Sequence, residues 1–212
     1  MMKDATEACR LLHHAIRGGT RIRIISDYDV DGVISNYILW KGLSDLGGSV
    51  DFTIPDRIQD GYGMNSEMAV NAKEDGVGLI ITCDNGIAAF DPVKKAKDLG
   101  IEVIVTDHHE VPYQMEEGRK REILPPADAV VNPKQESCVY PYKQLCGAGV
   151  AFQLMRALYR MEGREDKNLE PLLCFLAIAT VCDVVDLTEE NRIFVREGLN
   201  RIGITENTGL RA

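Results

Sequence analysis

The 212-residue sequence has no long hydrophobic run, no closely spaced cysteine pair and no excess of positive charge. Its longest apolar run, residues 172–182, covers roughly 11 residues and is too short to cross a bilayer. Its first ten residues contain no apolar signal core. The six cysteines form no C-x-x-C motif, which argues against a zinc knuckle or a dense disulfide framework and favours buried thiols in a reducing compartment. We therefore expect a cytoplasmic protein that has no membrane partner.

Acidic residues outnumber basic ones, with 33 Asp and Glu against 24 Lys and Arg, so the formal net charge is −9. This balance argues against binding duplex nucleic acid by charge alone. It leaves open an enzyme that acts on nucleic acid, because carboxylates that bind metal ions also add negative charge. The 45% apolar and 27% charged residues are typical of a folded globular chain.

Strand and helix patterns alternate through the first half of the chain, which predicts parallel strands joined by right-handed helical crossovers. The fold class we expect is α/β: a doubly wound, mostly parallel five-stranded sheet with flanking helices, followed by a helical C-terminal part. A charged, proline-bearing excursion over residues 113–126 interrupts this pattern. The predicted strands are 21–25, 50–54, 78–83, 101–106 and 127–131, and the predicted helices are 8–16, 33–46, 65–74, 87–99, 150–161, 169–182 and 189–202.

Acidic clusters stand directly after three of the predicted strands. They are the runs D-Y-D-V-D-G (27–32), C-D-N-G (83–86) and D-H-H (107–109). Because the carboxyl ends of parallel strands meet at one edge of a sheet, these carboxylates should lie together. Such crowding raises carboxylate pKa values and is relieved by a divalent cation. A single Asp after a strand is more often a helix N-cap, so the inference depends on all three clusters. A calcium loop starting at Asp27 is excluded, because Ile38 occupies the twelfth position.

Oxygen ligands combined with one imidazole suit Mn²⁺ or Mg²⁺, and the imidazole favours Mn²⁺. Two such ions can clamp a phosphoryl oxygen and generate a hydroxide at neutral pH, which is the chemistry of phosphoester or phosphoanhydride hydrolysis. Gly147 and Gly149 precede a predicted helix, where free N–H groups and the helix dipole favour phosphate, although a tight turn needs the same residues. Asp183 follows a helix and opposes its dipole, so it is either a metal ligand or a solvated surface residue.

Together these motifs resemble a known family. D-Y-D-V-D-G, C-D-N-G, D-H-H and the Asp of T-V-C-D-V-V-D-L form, in this order, the motif set of DHH phosphoesterases. The segments I-P-D-R-I-Q-D-G-Y-G-M-N, A-V-V-N-P-K-Q and L-C-G-A-G-V-A-F are similar to those of RecJ single-strand-specific exonucleases. The resemblance extends over about residues 20–212.

The resemblance implies two divalent cations, with Mn²⁺ favoured over Mg²⁺, and Asp84 bridging them. It implies that Asp107 and His109 are catalytic, Asp107 by orienting His108 and His109 by touching the scissile phosphate. Some DHH relatives place a His before the first Asp, where this sequence has Arg23 and Ile25. The implied metal ligands are Asp27, Asp29, Asp84, His108 and Asp183, the supporting carboxylates are Asp31 and Asp107, and the phosphate contacts are Arg57, His109, Gly147 and Gly149.

The activity implied by the resemblance is 5′-to-3′ hydrolysis of single-stranded DNA, the expected partner. We expect an N-terminal helix (1–19), a DHH catalytic domain (20–187) and the start of a connector helix (188–212). The DHH-associated and OB-type domains of complete RecJ-like enzymes do not fit after Ile202, so we expect a piece of a longer protein that is weakly active alone.

Other functions stay open at this point. One is a DHH phosphodiesterase for short oligonucleotides or cyclic dinucleotides, or a pyrophosphatase. Another is a non-catalytic DHH scaffold, although such relatives typically lose metal ligands. A Rossmann-type nucleotide-binding domain is disfavoured, because no G-x-G-x-x-G follows the first strand.

Overall fold

A computed structural model describes residues 1–211, and its elements alternate as the sequence pattern predicts. Helices are most frequent after residue 146. In chain order the elements are α1 (Ala5–Gly18), β1 (Arg21–Ser26), α2 (Val30–Asp45), β2 (Ser49–Thr53), α3 (Ser66–Glu74), β3 (Leu79–Cys83), α4 (Phe90–Asp98), β4 (Glu102–Thr106), β5 (Tyr113–Glu116), β6 (Arg119–Glu122), β7 (Ala129–Val131), α5 (Gly147–Met161), a 3₁₀ helix (Asp166–Leu172), α6 (Leu173–Cys182), α7 (Glu189–Ile202) and α8 (Thr208–Arg211).

The main sheet has five parallel strands in the order β2-β1-β3-β4-β7, which confirms the predicted α/β class. The central strands β1, β3 and β4 are almost entirely buried, whereas β2 is a partly exposed edge strand. The carboxyl ends of three neighbouring, well-packed strands therefore meet at one edge of the molecule.

Helices cover both faces of the sheet. Along each central strand the side chains alternate, so that Ile24, Ile81 and Ile104 pack with α1, α2, α5 and α6. Residues one position away, such as Ile25 and Val105, pack with α3 and α4. This alternation gives two hydrophobic cores, one on each side of the sheet, and fixes the strand register.

The excursion over residues 113–126 contains a β-hairpin that the sequence pattern does not predict. Strands β5 and β6 pair antiparallel to each other and lie outside the main sheet. Their two-residue turn uses Glu117 (φ 50°) and Gly118 (φ 77°), and two consecutive positive φ values suit a tight hairpin turn. Glu-Gly is a weaker turn signal than Asn-Gly or Asp-Gly, which is why the pattern does not reveal the hairpin.

Three helix boundaries differ from the predictions because of local caps, turns and a proline. Helix α2 begins at Val30 because the Asp29 carboxylate accepts a hydrogen bond from the Gly32 N–H at 2.9 Å. Helix α4 begins only at Phe90, because the Ala89 N–H closes a turn on the Gly86 carbonyl at 3.0 Å and Ala89 has a non-helical ψ of 55°. The segment predicted as one helix, 169–182, is a 3₁₀ turn containing Pro171 followed by α6.

Two further expectations can be compared with the structure. Five cysteines are buried, but Cys182 is exposed at the end of α6, so the prediction that all six are buried is wrong there. Within residues 1–211 we find no helix that has both the length and the apolar character needed to span a membrane.

Candidate metal centre

Three adjacent strands deliver acidic and imidazole side chains to one edge of the sheet. Asp27 follows β1, Asp84 follows β3, and His108 lies two residues after β4. Asp29 caps the following helix α2, and Asp183 caps the carboxyl end of α6, which packs against α2. Residues far apart in sequence therefore meet because the parallel topology gathers the strand ends.

The ligand atoms of these residues form three overlapping groups. Within each group, every ligand atom lies within 4.8 Å of the others. Asp84 and His108 each belong to two groups, so the groups are continuous. The groups are Asp27, Asp29 and Asp84; Asp84, His108 and His109; and Asp31, His108 and Asp183.

Several buried atoms in this cluster have no hydrogen-bond partner. His108 Nε2 lies 3.0 Å from Asp84 Oδ1, but the two atoms are not aligned as a hydrogen bond. Unpaired buried polar atoms are costly, so their convergence calls for a ligand. Carboxylate oxygens and one imidazole nitrogen facing a common space suit a divalent cation such as Mn²⁺ or Mg²⁺. The unpaired atoms of the cluster are Asp27 Oδ1, Asp84 Oδ1, His108 Nε2 and Asp183 Oδ2.

Burial and crowding shift the pKa values of the residues in this cluster. Burial, reinforced by the neighbouring Asp31 and Asp29 carboxylates, raises the pKa of Asp84 to about 11 and that of Asp183 to about 7. Burial also raises the pKa of Asp27 and lowers that of His108. Without a cation, the folded protein therefore favours protonated acids and a neutral imidazole. A divalent ion would favour the ionised carboxylates and would keep the imidazole neutral.

Asp84 has a strained backbone that a neighbouring amide holds in place. Its φ of 60° lies in the left-handed region, which is uncommon for a residue other than glycine. The Asn85 side chain donates to the carbonyls of Ile25 (3.0 Å) and Cys83 (2.9 Å) and accepts from the Met64 N–H (3.1 Å). Asn85 thus ties two strand ends to the loop before α3, and Asp84 is fixed between them.

The amino terminus of α5 holds an anion, but the anion belongs to the protein itself. Asp31 accepts hydrogen bonds from the N–H groups of Gly147 (2.5 Å) and Ala148 (2.9 Å). Gly149 is buried against Leu145. Asp31 thus occupies the Gly147 donor, and contact of Gly147 and Gly149 with phosphate stays a prediction.

Gly147 has a different role in the structure. A Cβ atom at this position would lie 2.7 Å from the Asp84 Cβ and 2.9 Å from Asp31 Oδ2. Glycine therefore lets α5 approach the acidic cluster closely enough for its N–H groups to reach Asp31.

The Asp107 carboxylate binds the ring of His109 and the backbone of His108, and the expected role of Asp107 in orienting the His108 ring stays a prediction. Its Oδ1 accepts from His109 Nδ1 at 2.7 Å and from the backbone N–H of His108 at 2.7 Å. Its Oδ2 accepts from the Ile87 N–H at 2.9 Å. Burial alone would raise the pKa of Asp107, but these hydrogen bonds hold it below its ordinary value. The same contact raises the pKa of His109 and so favours its protonated form.

Tyr62 is a site residue that sequence reasoning missed. Its hydroxyl donates to the Asp84 carbonyl oxygen at 3.0 Å and lies 3.3 Å from His109 Nε2. Burial, together with Asp107 and Asp84, raises its pKa and keeps the hydroxyl protonated. The only available signal was a tyrosine between two glycines in the loop that precedes α3.

Arg57 lies in the same exposed loop, with its guanidinium carbon 5.6 Å from the centre of the Tyr28 ring. Tyr28 stands between Asp27 and Asp29, so the guanidinium is near the rim of the cluster.

Arg23 and Ile25 stand where some DHH relatives have a histidine, and neither adds a metal ligand to the cluster. Arg23 pairs with Asp51 at 2.7 Å and Asp75 at 2.9 Å, and Ile25 is buried in the core beside α3 and α4.

Known proteins are similar in sequence to this chain over most of its length. Residues 21–180 match the family model described as the DHH family, N-terminal domain. The single-stranded-DNA-specific exonuclease RecJ of Bacillus subtilis strain 168 is 42% identical over 99% of this chain, and the match covers 25% of that protein. This chain thus spans about a quarter of the length of that curated relative.

Solved structures give the same result. An exonuclease RecJ bound to manganese matches with a TM-score of 0.86 and 36% identity, over 100% of this chain and 51% of the other. RecJ from Thermus thermophilus in complex with Mg²⁺ matches with a TM-score of 0.67 and 32% identity, over 99% of this chain and 25% of the other. The fold seen here therefore occurs in proteins that bind either ion.

Proposed function

This chain belongs to the DHH family, and from that membership and the geometry of the cluster we propose that it is the catalytic core of a metal-dependent phosphodiesterase. The proposed substrate is single-stranded DNA, shortened in the 5′-to-3′ direction as in a RecJ-type exonuclease. The observation that carries the proposal is the convergence of unpaired carboxylate and imidazole atoms around Asp84 and His108.

The proposed metal ligands divide into two sets that share Asp84. Asp27 and Asp29 form a group with Asp84, His108 forms a second group with Asp84, and Asp183 groups with His108. Two divalent cations held there would supply an activated water nucleophile and neutralise charge on the phosphoryl oxygens. The imidazole in the ligand set favours Mn²⁺ over Mg²⁺.

Other residues of the chain bind the substrate and position the ligands. We assign His109 the contact with the scissile phosphate, since Asp107 fixes its ring at Nδ1 and favours the protonated form. A protonated Nε2 can then donate a hydrogen bond to a phosphate oxygen. Arg57, at the rim, is the second phosphate contact. Asp31 acts through α5, whose amino terminus it holds against the cluster.

The relatives are longer than this chain, so we propose a domain division rather than a complete enzyme. In it, residues 1–19 form an N-terminal helix, 20–187 the catalytic domain and 188–212 the start of a connector. We propose that DHH-associated and OB-type domains lie beyond that connector and extend the path for the DNA strand.

The test of the function is hydrolysis of 5′-labelled single-stranded DNA with added Mn²⁺. We expect release of labelled mononucleotide by the parent chain, at a low rate, and no release by Asp84→Asn. Asp45→Asn, an exposed carboxylate on α2, is the matched control and should behave as the parent does. Equal hydrolysis by Asp84→Asn would contradict the proposed site.

The same assay separates the alternative functions. Faster hydrolysis of dinucleotides than of long strands would favour a phosphodiesterase for short oligonucleotides. If the parent binds no Mn²⁺ in calorimetry, the chain is better described as a non-catalytic DHH scaffold.

A further inference from the structure

The β5–β6 hairpin, residues 113–122, is an exposed arm that the proposed mechanism does not use. Both of its strands are largely solvent-exposed, and it makes no strand pairing with the main sheet. Its neck is closed by a hydrogen bond from the Ile123 N–H to the Pro112 carbonyl at 2.9 Å. An isolated two-stranded hairpin is marginally stable in water, so its anchoring to the rest of the protein matters.

The hairpin is anchored to the same loop that supports the metal centre. Asn132 donates to the His109 carbonyl at 2.9 Å, and Lys134 pairs with Glu110 at 2.9 Å. The N–H of Glu136, four residues after Asn132, donates to the carboxylate of Glu122, in β6, at 2.7 Å. The loop after β7 therefore holds both His109 and the base of the hairpin. Since only four peptide units separate Tyr113 from His109, their Cα atoms lie within ~15 Å of each other.

One face of the hairpin combines an aromatic ring, a thioether and a cation. The cross-strand register pairs Met115 with Lys120 and Tyr113 with Glu122, so these four residues share a face, here called the tyrosine face. The Lys120 ammonium lies 4.2 Å from the centre of the Tyr113 ring. Tyr113 is 51% exposed and Met115 is 61% exposed, so both offer apolar surface to a partner.

The cations of β6 are only partly neutralised. Arg121, on the opposite face, pairs with Glu116 at 2.8 Å. Lys120 and its neighbour Arg119 have no ion-pair partner among residues 1–211. Lys120 lies on the tyrosine face and Arg119 on the opposite face. In a chain of net charge −9, a free cation beside an exposed aromatic ring forms a local site for a polyanion.

We infer that the tyrosine face binds single-stranded DNA that extends from the metal centre. A base stacks on Tyr113 beside Met115, while Lys120 contacts a phosphate. Aromatic rings for stacking combined with unpaired cations are the usual means of binding a single strand without sequence preference. The inference rests on the proposed function, because it assigns a path to the same substrate.

The test measures binding rather than hydrolysis. Fluorescence anisotropy with an oligothymidylate of about 16 nucleotides, the upper end of common site sizes, is recorded in EDTA over a range of salt concentrations. Tyr113→Ala should weaken binding about fivefold or more. Lys120→Gln should reduce the slope of log K against log salt by about 0.7. Lys41→Gln on α2 removes the same charge from a helix beside the far edge of the sheet and should change neither quantity.

The outcomes separate this inference from the proposed function. Binding by Tyr113→Ala and Lys120→Gln that equals binding by Lys41→Gln would overturn the role of the hairpin, as would failure of the parent to bind the oligonucleotide. A chain that binds through the hairpin but releases no nucleotide with Mn²⁺ would contradict the proposed function and leave this inference standing.

Discussion

At the scale of single residues, the fold brings several carboxyl groups together in the candidate metal centre although burial and mutual repulsion disfavour their ionised forms. Burial raises the pKa values of Asp84, Asp183 and Asp27, so ionising them in the metal-free protein costs stability. His109 and Asp107 show the opposite behaviour, because each stabilises the charged form of the other. The proposed metal ligands and the proposed phosphate contact, His109, therefore differ in which protonation state the folded protein favours.

Asp183 provides a pH prediction. Its pKa is raised from the ordinary 3.8 to about 7 in the folded state. Between these values the unfolded chain has lost the proton and the folded chain has kept it, so this group lowers stability as pH rises from about 4 to about 7. In EDTA, the urea midpoint of Asp183→Asn should fall less than that of the parent as pH rises from about 4 to about 7. Asp186→Asn, at a nearby exposed position, should retain it, and identical pH profiles for parent and Asp183→Asn would refute the assignment.

Asp107→Asn tests the His109 contact. The amide would place a donor against either His109 Nδ1 or the Ile87 N–H, so the pKa of His109 should fall. A buried group left without its partner should also cost about 1–3 kcal/mol of unfolding free energy. Titration of the His109 ring by NMR measures the first effect and urea unfolding the second, with Asp98→Asn as the surface control. An unchanged His109 pKa would show that Asp107 does not act through this ring.

The sequence predicts residues of this site unequally. The proximity of Asp27, Asp84 and His108 could be predicted from the sequence, because each closely follows a strand and parallel strands align their carboxyl ends. The partner of Asp107 could not be predicted, since either imidazole after it is within reach. The occupant of the α5 N–H groups depends on Asp31, which lies 116 positions before Gly147 and approaches it only in the folded chain.

At the scale of elements, α5 is locked to α2 across the acidic cluster. The Asp31 carboxylate on α2 binds the first N–H groups of α5, and this contact satisfies donors that a helix amino terminus would otherwise leave unpaired. The two helices can meet this closely only because Gly147 has no side chain.

Gly147→Ala should therefore disturb both stability and the site. The added Cβ would lie 2.7 Å from the Asp84 Cβ, and such overpacking costs about 1–3 kcal/mol. We expect a lower urea midpoint and weaker Mn²⁺ binding in calorimetry. Gly203→Ala, where no atom lies within 4 Å of the new Cβ, is the control for adding one methyl group. Mn²⁺ affinity that is unchanged in Gly147→Ala would contradict the close approach of α5.

Most elements could be predicted from periodicity, and the errors have identifiable causes. The five main strands are recognisable because β-branched runs alternate with amphipathic helices. The hairpin is not, because both its strands are exposed and polar, which leaves no apolar alternation to detect. The predicted start of α4 is three residues early because residues 86–89 form a turn, which the apolar periodicity does not reveal.

At the scale of the whole molecule, folding and metal binding should be linked, because the proposed ligands come from elements spread between residues 27 and 183. An ion that binds only the folded chain at 100 times its Kd stabilises the protein by about 2.7 kcal/mol. We expect Mn²⁺ to raise the melting temperature of the parent and EDTA to reverse the increase. Asp84→Asn should melt at or above the parent in EDTA, since it removes a buried charge conflict, and should show little response to Mn²⁺. An equal response in both proteins would show that the ion acts elsewhere.

The most direct test of the metal centre is anomalous scattering from crystals soaked in Mn²⁺. We predict manganese peaks at the carboxyl edge of the sheet, one bounded by Asp27, Asp29 and Asp84 and another by Asp84, His108 and Asp183. Peaks that lie away from these side chains, or the absence of any ordered manganese among them, would contradict the assignment of this cluster as a metal centre.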